Sequence, residues 1–202
     1  TDHNLDCEGR DRTSMQFPQG QTELIRQVSA INGKTIVVLM HGAPIDLPWI
    51  DRVPAVLDMF FPGMEGGTAM ADILFGDADP SGRLTFSWPE RLEDSPVYEL
   101  ATQDVDNVNY EDSLMVGYRY FDTKRVTPRY EFGYGLSYTT FDYSKMKVKK
   151  DGDNCVVTLH VKNTGSRDGA EVVQIYVGQK NCRYTRPVHE LKAFDKVFLK
   201  PG

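Results

Sequence analysis

The residues best suited to chemistry form a charged cluster near the start of the chain. Residues 6–12 place Asp6 and Glu8, a glycine and an Asp-Arg pair in seven positions ahead of a helical pattern. A carboxyl group held in a loop among other charges can have a shifted pKa, as an acid or base catalyst requires. The alternative is a solvated run of charges, which is the more frequent meaning of such runs in general. Composition alone leaves both interpretations open.

Other catalytic and cofactor signatures are absent from the sequence. It contains no phosphate-binding loop, no H-E-x-x-H motif, no G-x-S-x-G motif and no Gly-rich dinucleotide fingerprint. Its four histidines lack metal-ligand spacing, and its three cysteines form no C-x-x-C pair. His160 falls inside an alternating strand pattern and is expected to be an ordinary strand residue. We therefore expect neither a metal nor a cofactor.

The composition is that of a globular chain with one large domain or two small ones. It has 202 residues, of which 40% are apolar and 26% charged. A net charge of -6 and a pI near 5.2 are unsuited to holding phosphate backbones, so nucleic acid is not an expected partner. The longest apolar runs, such as residues 35–40, fall far short of the ~20 residues that span a bilayer. No membrane span is expected.

Helix and strand patterns alternate in the first half of the chain. Residues 21–31 predict a helix with one apolar face, formed by Leu24, Ile25, Val28 and Ile31. Apolar runs at residues 35–40 and 56–61 predict buried parallel strands, and residues 65–75 predict a second helix that ends at Gly76. Two βα units in succession predict a layered α/β sheet.

The second half of the chain contains an aromatic-rich connector followed by a segment with a strand pattern. Residues 96–143 read as a connector, yet ten aromatic rings fall within 34 positions of it. Disordered segments are poor in aromatic residues, so this connector is expected to pack against another surface. From residue 144 the apolar period becomes two, which predicts an antiparallel β-sandwich. The predicted domains are an α/β sandwich at 1–95, the connector at 96–143 and a β-sandwich at 144–202.

The two ends of the sequence lead us to expect that it is a segment of a longer protein. The chain begins at Thr1 without an initiator methionine and ends at Gly202 just after a strand pattern. Its β-rich part has about sixty residues, whereas a complete sandwich of this type has roughly 100. We expect an α/β domain truncated at its N-terminal end and a sandwich truncated at its C-terminal end, with unpaired strand edges.

Short motifs run through the chain in a fixed order. They include Glu8-Gly-x-Asp-Arg12, Phe61-Pro-Gly-Met-Glu-Gly-Gly67, Pro80-Ser-Gly-Arg-Leu84, Val116-Gly-Tyr-Arg-Tyr-Phe121 and Phe132-Gly-Tyr-Gly-Leu-Ser-Tyr-Thr-Thr-Phe141. Together they resemble the C-terminal half of a glycoside hydrolase family 3 β-glucosidase, over essentially the whole chain. The resemblance implies an α/β sandwich and a fibronectin type III-like domain, preceded by a (β/α)8 barrel that lies outside this sequence.

The resemblance also implies roles for particular residues. Family members are retaining glycosidases with an Asp nucleophile on the barrel and a Glu acid/base on the sandwich, and the matching position here is Glu8. A retaining mechanism uses two carboxyl groups ~5 to 5.5 Å apart, one ionised and one protonated. Asp6 is the rival acid/base, because related sequences vary in how acids are spaced in this loop. No metal and no cofactor are implied.

The implied function is exo-hydrolysis of β-linked oligosaccharides or aryl glycosides, with glucose as the expected terminal sugar. The partners would be that substrate and the barrel of the same chain, and this segment alone would be inactive because it lacks the nucleophile. Family habit implies secretion, to an extracellular or periplasmic location, and a role in polysaccharide degradation. The alternatives are a non-catalytic carbohydrate-binding or interaction module, and a β-xylosidase or N-acetylglucosaminidase of the same family.

Three further features are expected to be structural. Trp49 is expected to pack rather than stack on a sugar, because it is flanked by proline after an apolar strand. Gly63, Gly66 and Gly67 are expected to allow a turn and close backbone approach. The aromatic residues between 132 and 141 are expected to join domains rather than to bind carbohydrate.

Overall fold

The computed structural model describes residues 12–98 and 110–202, in which an α/β part precedes a β-rich part. This order confirms the predicted fold class. The α/β part contains helix α1 (Gln21–Ile31), strand β1 (Ile36–Leu39), a 3-10 turn (Ile50–Arg52), strand β2 (Ala55–Asp58), helix α2 (Gly66–Phe75) and a second 3-10 turn (Leu92–Asp94). Helix α3 (Tyr118–Lys124) follows within the predicted connector. None of the helices in these two ranges is long and apolar enough to cross a membrane.

Strands β1 and β2 form a parallel pair at the centre of the α/β part. Leu39, the last residue of β1, is in register with Asp58, the last residue of β2. The core around them consists of Met15, Val37, Leu39, Ile45, Leu47, Trp49 and Trp88. The prediction that the second strand runs to Phe61 is wrong, because Phe60 has a φ of 49° and this left-handed conformation cannot continue an extended strand.

The two longer helices confirm the helices that the sequence predicted, but the apolar face of α1 is less buried than expected. Helix α1 has the predicted bounds, but only Ile25 of its four apolar positions packs against the core, and Ile31 is 88% exposed. Ser29, one turn beyond Ile25, is buried, so the helix turns only one edge of its apolar face inward. Helix α2 ends as predicted at Gly76, whose φ of 83° is readily available to glycine.

The chain after α2 joins the connector through backbone hydrogen bonds. Trp88 N donates to Tyr130 O at 2.8 Å, and Leu84 N donates to Tyr134 O at 2.8 Å. In return Arg129 N donates to Trp88 O, and Gly133 N donates to Leu84 O. The described part of the connector is therefore packed against the α/β part, as its aromatic content predicted.

The β-rich part consists of two antiparallel strand pairs. Strand β3 (Phe141–Asp151) pairs with β4 (Asn154–Asn163), and β5 (Gly169–Val177) pairs with β6 (Glu190–Leu199). The alternating sequence pattern predicted these extended antiparallel strands. Strand β3 begins at Phe141, three residues before the predicted domain start at 144.

A polar junction connects the two parts of the structure. The Asp79 carboxylate accepts hydrogen bonds from Ser137 Oγ and from Tyr138 N, both at 2.8 Å. Arg83 and Glu171 form an ion pair of 2.6 Å between largely buried side chains. Charge-assisted contacts from residues just after α2 therefore reach both the connector and strand β5 of the β-rich part.

We expect Gly135→Ala to destabilise the protein, because a Cβ at this position would collide with the carbonyl oxygen of Gly82. The backbone of Gly82 cannot move aside as a flexible side chain would, so the expected cost is ~1–3 kcal/mol. Gly67→Ala is the control: nothing lies within 4 Å of its Cβ, and alanine in helix α2 should raise stability by up to ~1 kcal/mol. Urea unfolding of both variants measures the difference. Equal stability for the two variants would contradict the close approach at Gly135.

Candidate functional site

The predicted acid/base candidates Glu8 and Asp6 lie outside the described residues. The structure describes the end of their cluster from Arg12 onward. Arg12 Nη2 donates to Gln16 O at 2.9 Å, and Met15, three residues further on, is a core residue. The chain that leads away from the cluster is therefore anchored in the core of the α/β part.

Two polar residues that the sequence analysis did not single out meet at the carboxyl edge of the parallel pair. Asp58 is the last residue of β2, and His41 follows the end of β1 by two positions. Their side chains approach to 3.1 Å, between His41 Nε2 and Asp58 Oδ1. The carboxyl edge of parallel strands is where ligands bind in open α/β sheets. A polar residue directly after each apolar run was the available sequence signal.

The His41 ring is buried and has a defined hydrogen-bonding role. Its Nδ1 lies 2.8 Å from Ala43 O, which can only accept, so Nδ1 carries a proton and donates. The ring packs against Trp88 and Phe60, with centroid distances of 5.1 and 5.5 Å. Among the described residues His41 Nε2 has no hydrogen-bond partner, because its close approach to Asp58 Oδ1 lacks hydrogen-bond geometry, and Asp58 Oδ2 has none either.

The loop after β1 is attached to the rest of the domain by two further hydrogen bonds. Trp88 Nε1 donates to Ile45 O at 2.9 Å in a buried contact. Asp46 N donates to Met15 O at 2.8 Å. The second bond joins this loop directly to the segment that begins with the predicted acid/base cluster.

The same loop carries a carboxyl group with a perturbed pKa. Burial raises the pKa of Asp46, the Arg12 guanidinium opposes this rise, and the charge of Glu93 adds to it. The arginine of the Glu-Gly-x-Asp-Arg motif thus acts electrostatically on the loop after β1. The motif and this loop therefore belong to one region of the structure.

A cleft of about 360 Å³ opens beside this region. Its walls include Gly42, Ala43 and Pro44 from the loop after β1, together with Phe86, Pro89 and Phe121. Apolar and aromatic walls of this kind suit a ring or an alkyl group better than a charged ligand.

The residues that were expected to be structural have structural surroundings. Trp49 is 2% exposed and belongs to the core, which confirms packing rather than sugar stacking. Gly63 has a φ of 71°, and a Cβ on Gly66 would come within 2.7 Å of Pro62. His160 is exposed on β4. In residues 12–98 and 110–202, no group of three His, Cys, Asp or Glu side chains could hold a metal ion.

The connector's rings are divided between packed and exposed positions. Tyr118 stacks on Phe132 with a centroid distance of 5.0 Å and contacts Tyr176 of β5 edge-on. Phe121 is buried, whereas Tyr134 and Tyr138 are exposed. Within the described residues these rings join the α/β part to the β-rich part.

Comparison with protein families gives two matches. Residues 1–138 match the glycosyl hydrolase family 3 C-terminal domain, and residues 171–202 match the fibronectin type III-like domain. The first match covers more than half of the chain and includes both Asp6 and Glu8.

Individual relatives agree with the family matches. The chain is 45% identical to the thermostable β-glucosidase B of Acetivibrio thermocellus, over 98% of this chain and 27% of that protein. The crystal structure of the Kluyveromyces marxianus β-glucosidase in complex with glucose is 40% identical, with a TM-score of 0.93 over 98% of this chain and 24% of the other. β-Glucosidase 3B from Thermotoga neapolitana in complex with glucose has a TM-score of 0.91 at 40% identity, over 98% of this chain and 29% of the other. The chain spans about a quarter of the length of these relatives.

We expect Asp46→Asn to change how stability depends on pH. Because the folded protein raises the pKa of Asp46, it binds this proton more tightly than the unfolded chain does, and wild-type stability falls as the pH rises through the raised pKa. Asparagine removes this loss, so the melting temperature of Asp46→Asn relative to wild type should be higher at pH 7 than at pH 3.

Asp77→Asn is the control for this prediction, since Asp77 is exposed in the turn after α2. Thermal unfolding at the two pH values, followed by circular dichroism, provides the comparison. A difference between Asp46→Asn and wild type that is the same at both pH values would show that the Asp46 carboxyl has no raised pKa.

Proposed function

Because this chain belongs to glycosyl hydrolase family 3, we propose that the protein carrying it hydrolyses non-reducing terminal β-D-glucosyl residues. The observation that carries the proposal is the family match over residues 1–138, which includes the charged cluster. The relatives named above are β-glucosidases, and two of their structures contain glucose. This supports glucose as the terminal sugar rather than xylose or N-acetylglucosamine.

We assign the general acid/base to Glu8 and the nucleophile to a preceding barrel domain of the same protein. In a retaining mechanism the protonated carboxyl of Glu8 gives its proton to the leaving-group oxygen while the nucleophile attacks the anomeric carbon. The deprotonated Glu8 then removes a proton from the water that hydrolyses the glycosyl intermediate. Asp6 is the alternative residue for the same role.

Contacts of the described residues support our proposal that the proton transfer by Glu8 takes place near the carboxyl edge of β1 and β2. The chain that follows the cluster is anchored by Met15 in the core and is hydrogen-bonded to the loop after β1. Glu8 is four positions from Arg12, and four residues span at most ~14 Å. The apolar cleft beside the loop has the chemical character that an aryl or alkyl leaving group requires.

In the full-length protein, we expect Glu8→Gln to slow hydrolysis of a disaccharide by ~100-fold or more, because its leaving group needs a proton. An activated aryl glucoside should be affected less at the glycosylation step, and added azide should restore turnover by attacking the intermediate without a base. Steady-state kinetics with both substrates measure this.

Asp6→Asn is the matched control for the Glu8 variant. It removes a carboxyl two positions away and should leave the disaccharide rate within a few-fold of wild type. The opposite result, a large loss with azide rescue in Asp6→Asn alone, would assign the acid/base role to Asp6. Near-normal rates in both variants would remove the role from this cluster.

We expect the isolated 202-residue chain to show no hydrolysis of p-nitrophenyl β-D-glucoside, because one of the two required carboxyl groups lies on another domain. Its affinity for glucose should also be very weak, since the family resemblance implies that the barrel supplies the remaining sugar contacts. Activity assays and isothermal titration test both points, with the full-length protein as the positive control. Micromolar glucose binding by the isolated chain would instead favour a carbohydrate-binding module.

A further inference from the structure

The pair formed by the buried His41 and the partly buried Asp58 has a cost that packing alone does not explain. His41 is 4% exposed, yet among the described residues its Nε2 and Asp58 Oδ2 have no hydrogen-bond partner. Buried polar atoms without partners destabilise a fold, and apolar residues of similar volume would avoid this cost. Such a costly pair at the carboxyl edge of parallel strands indicates a role beyond packing.

The pair acts on the loop after β1 through a single hydrogen bond. His41 Nδ1 donates to Ala43 O at 2.8 Å, within the segment that forms one wall of the cleft. Asp58 lies on the other side of the ring, 3.1 Å from Nε2, and its own Oδ1 accepts from Phe60 N at 3.3 Å. Because Asp58 contacts the ring on its Nε2 side, Nδ1 is the ring nitrogen that faces Ala43 O.

The loop in turn holds the chain that leads to the charged cluster. Beyond Ala43 it is attached to Trp88 through Ile45 O and to Met15 through Asp46 N. The side chain of Asp46 is also acted on by the charge of Arg12. A continuous path of contacts therefore runs from Asp58 through His41 and the loop to Met15 and Arg12, and Arg12 is the last residue of the motif that contains Glu8.

We propose that His41 is a positioning residue for the acid/base, with Asp58 as the group that orients its imidazole. The Nδ1–H bond to Ala43 holds the loop after β1 in the conformation that contacts Met15 and shapes the adjacent cleft, and the proposed effect on Glu8 acts through Met15 and Arg12. This inference rests on the proposed function, because it assigns the acid/base to the cluster at residues 6–12. His41 itself is buried and does not touch the substrate.

Two substitutions of His41 separate its two nitrogen atoms. In His41→Asn the amide nitrogen can occupy the position of Nδ1 and keep the bond to Ala43 O, whereas in His41→Gln the terminal amide lies nearer the position of Nε2. In the full-length protein we expect His41→Gln to lower kcat for a disaccharide about tenfold or more, since small misplacements of catalytic groups have large effects. An activated aryl glucoside should lose much less, and His41→Asn should recover most of the disaccharide rate.

A double-mutant cycle with Glu8→Gln distinguishes positioning from a general structural role. If His41 acts through Glu8, His41→Gln should have no further effect on the disaccharide rate in the Glu8→Gln background. Full additivity, or an equal loss on both substrates, would overturn the inference. His160→Gln is the control for histidine loss, because His160 is exposed on β4 and should leave both rates unchanged.

A second pair of variants keeps the test decisive if His41→Gln fails to fold. Asp58→Asn keeps a side chain of the same size on the Nε2 side of the His41 ring and should preserve the disaccharide rate, whereas Asp58→Ala leaves that side open and should reproduce the selective loss. Equal rates for these two variants would contradict the role of Asp58.

Failure of the proposed function gives a different result. If Glu8→Gln is as active as wild type, the acid/base assignment fails, while ¹⁵N NMR of the histidine rings still tests the His41 geometry. That spectrum should show His41 as the Nδ1–H tautomer in wild type, or with both nitrogens protonated. A His41 ring with its proton on Nε2 alone would overturn the inference whatever the kinetics show.

Discussion

Trp88 connects its own segment to two others that are distant in the sequence, the loop after β1 and the connector. Its Nε1 donates to Ile45 O in the loop after β1, and its backbone is hydrogen-bonded to Arg129 and Tyr130 in the connector. The ring is 3% exposed and contacts the rings of His41, Phe86 and Tyr130. The loop that borders the cleft and the nearby part of the connector therefore both depend on one buried residue, through its indole in the first case and through its backbone and ring in the second.

A second constraint is the fully bonded polar network where the β-rich part begins. Asn163 is 1% exposed, and its amide nitrogen donates to Arg167 O and Leu199 O, while its oxygen accepts from Thr139 Oγ1. Asp79 performs the equivalent task from the α/β side by binding Ser137 and Tyr138. Buried networks of this kind disfavour alternative packings, because any other arrangement leaves polar atoms without partners. The relation between the two parts is thus specified chemically as well as by apolar contact.

The candidate site consists of the buried parallel strands β1 and β2 and of the loop after β1, which a few hydrogen bonds attach to the rest of the domain. The parallel strands bring His41 and Asp58 to one edge, and the loop after β1 carries the contacts of that edge to Met15 and Arg12. In the proposed mechanism the two carboxyl groups come from different domains, so each domain must hold its own group accurately, since neither can correct an error in the other. Hydrogen bonds to backbone atoms suit this purpose, because they determine where a loop lies without occupying the site.

The sequence by itself determined helices α1 and α2, the change of period and the family, whereas it gave no sign of helix α3. Helix α1 could be predicted to the residue because apolar spacing and its end signals are local, and the order of short motifs led to the family that the comparisons support. The pairing of His41 with Asp58, and of Arg83 with Glu171 across 88 positions, was decided only by the tertiary structure. The tertiary structure also decided that β2 ends at Asp58, because the left-handed backbone of Phe60 occurs where its ring packs against His41 and Phe86. Periodicity reports which face of an element is apolar, whereas the partner of a polar side chain depends on strand register and loop conformation, which have no repeating signal in the sequence.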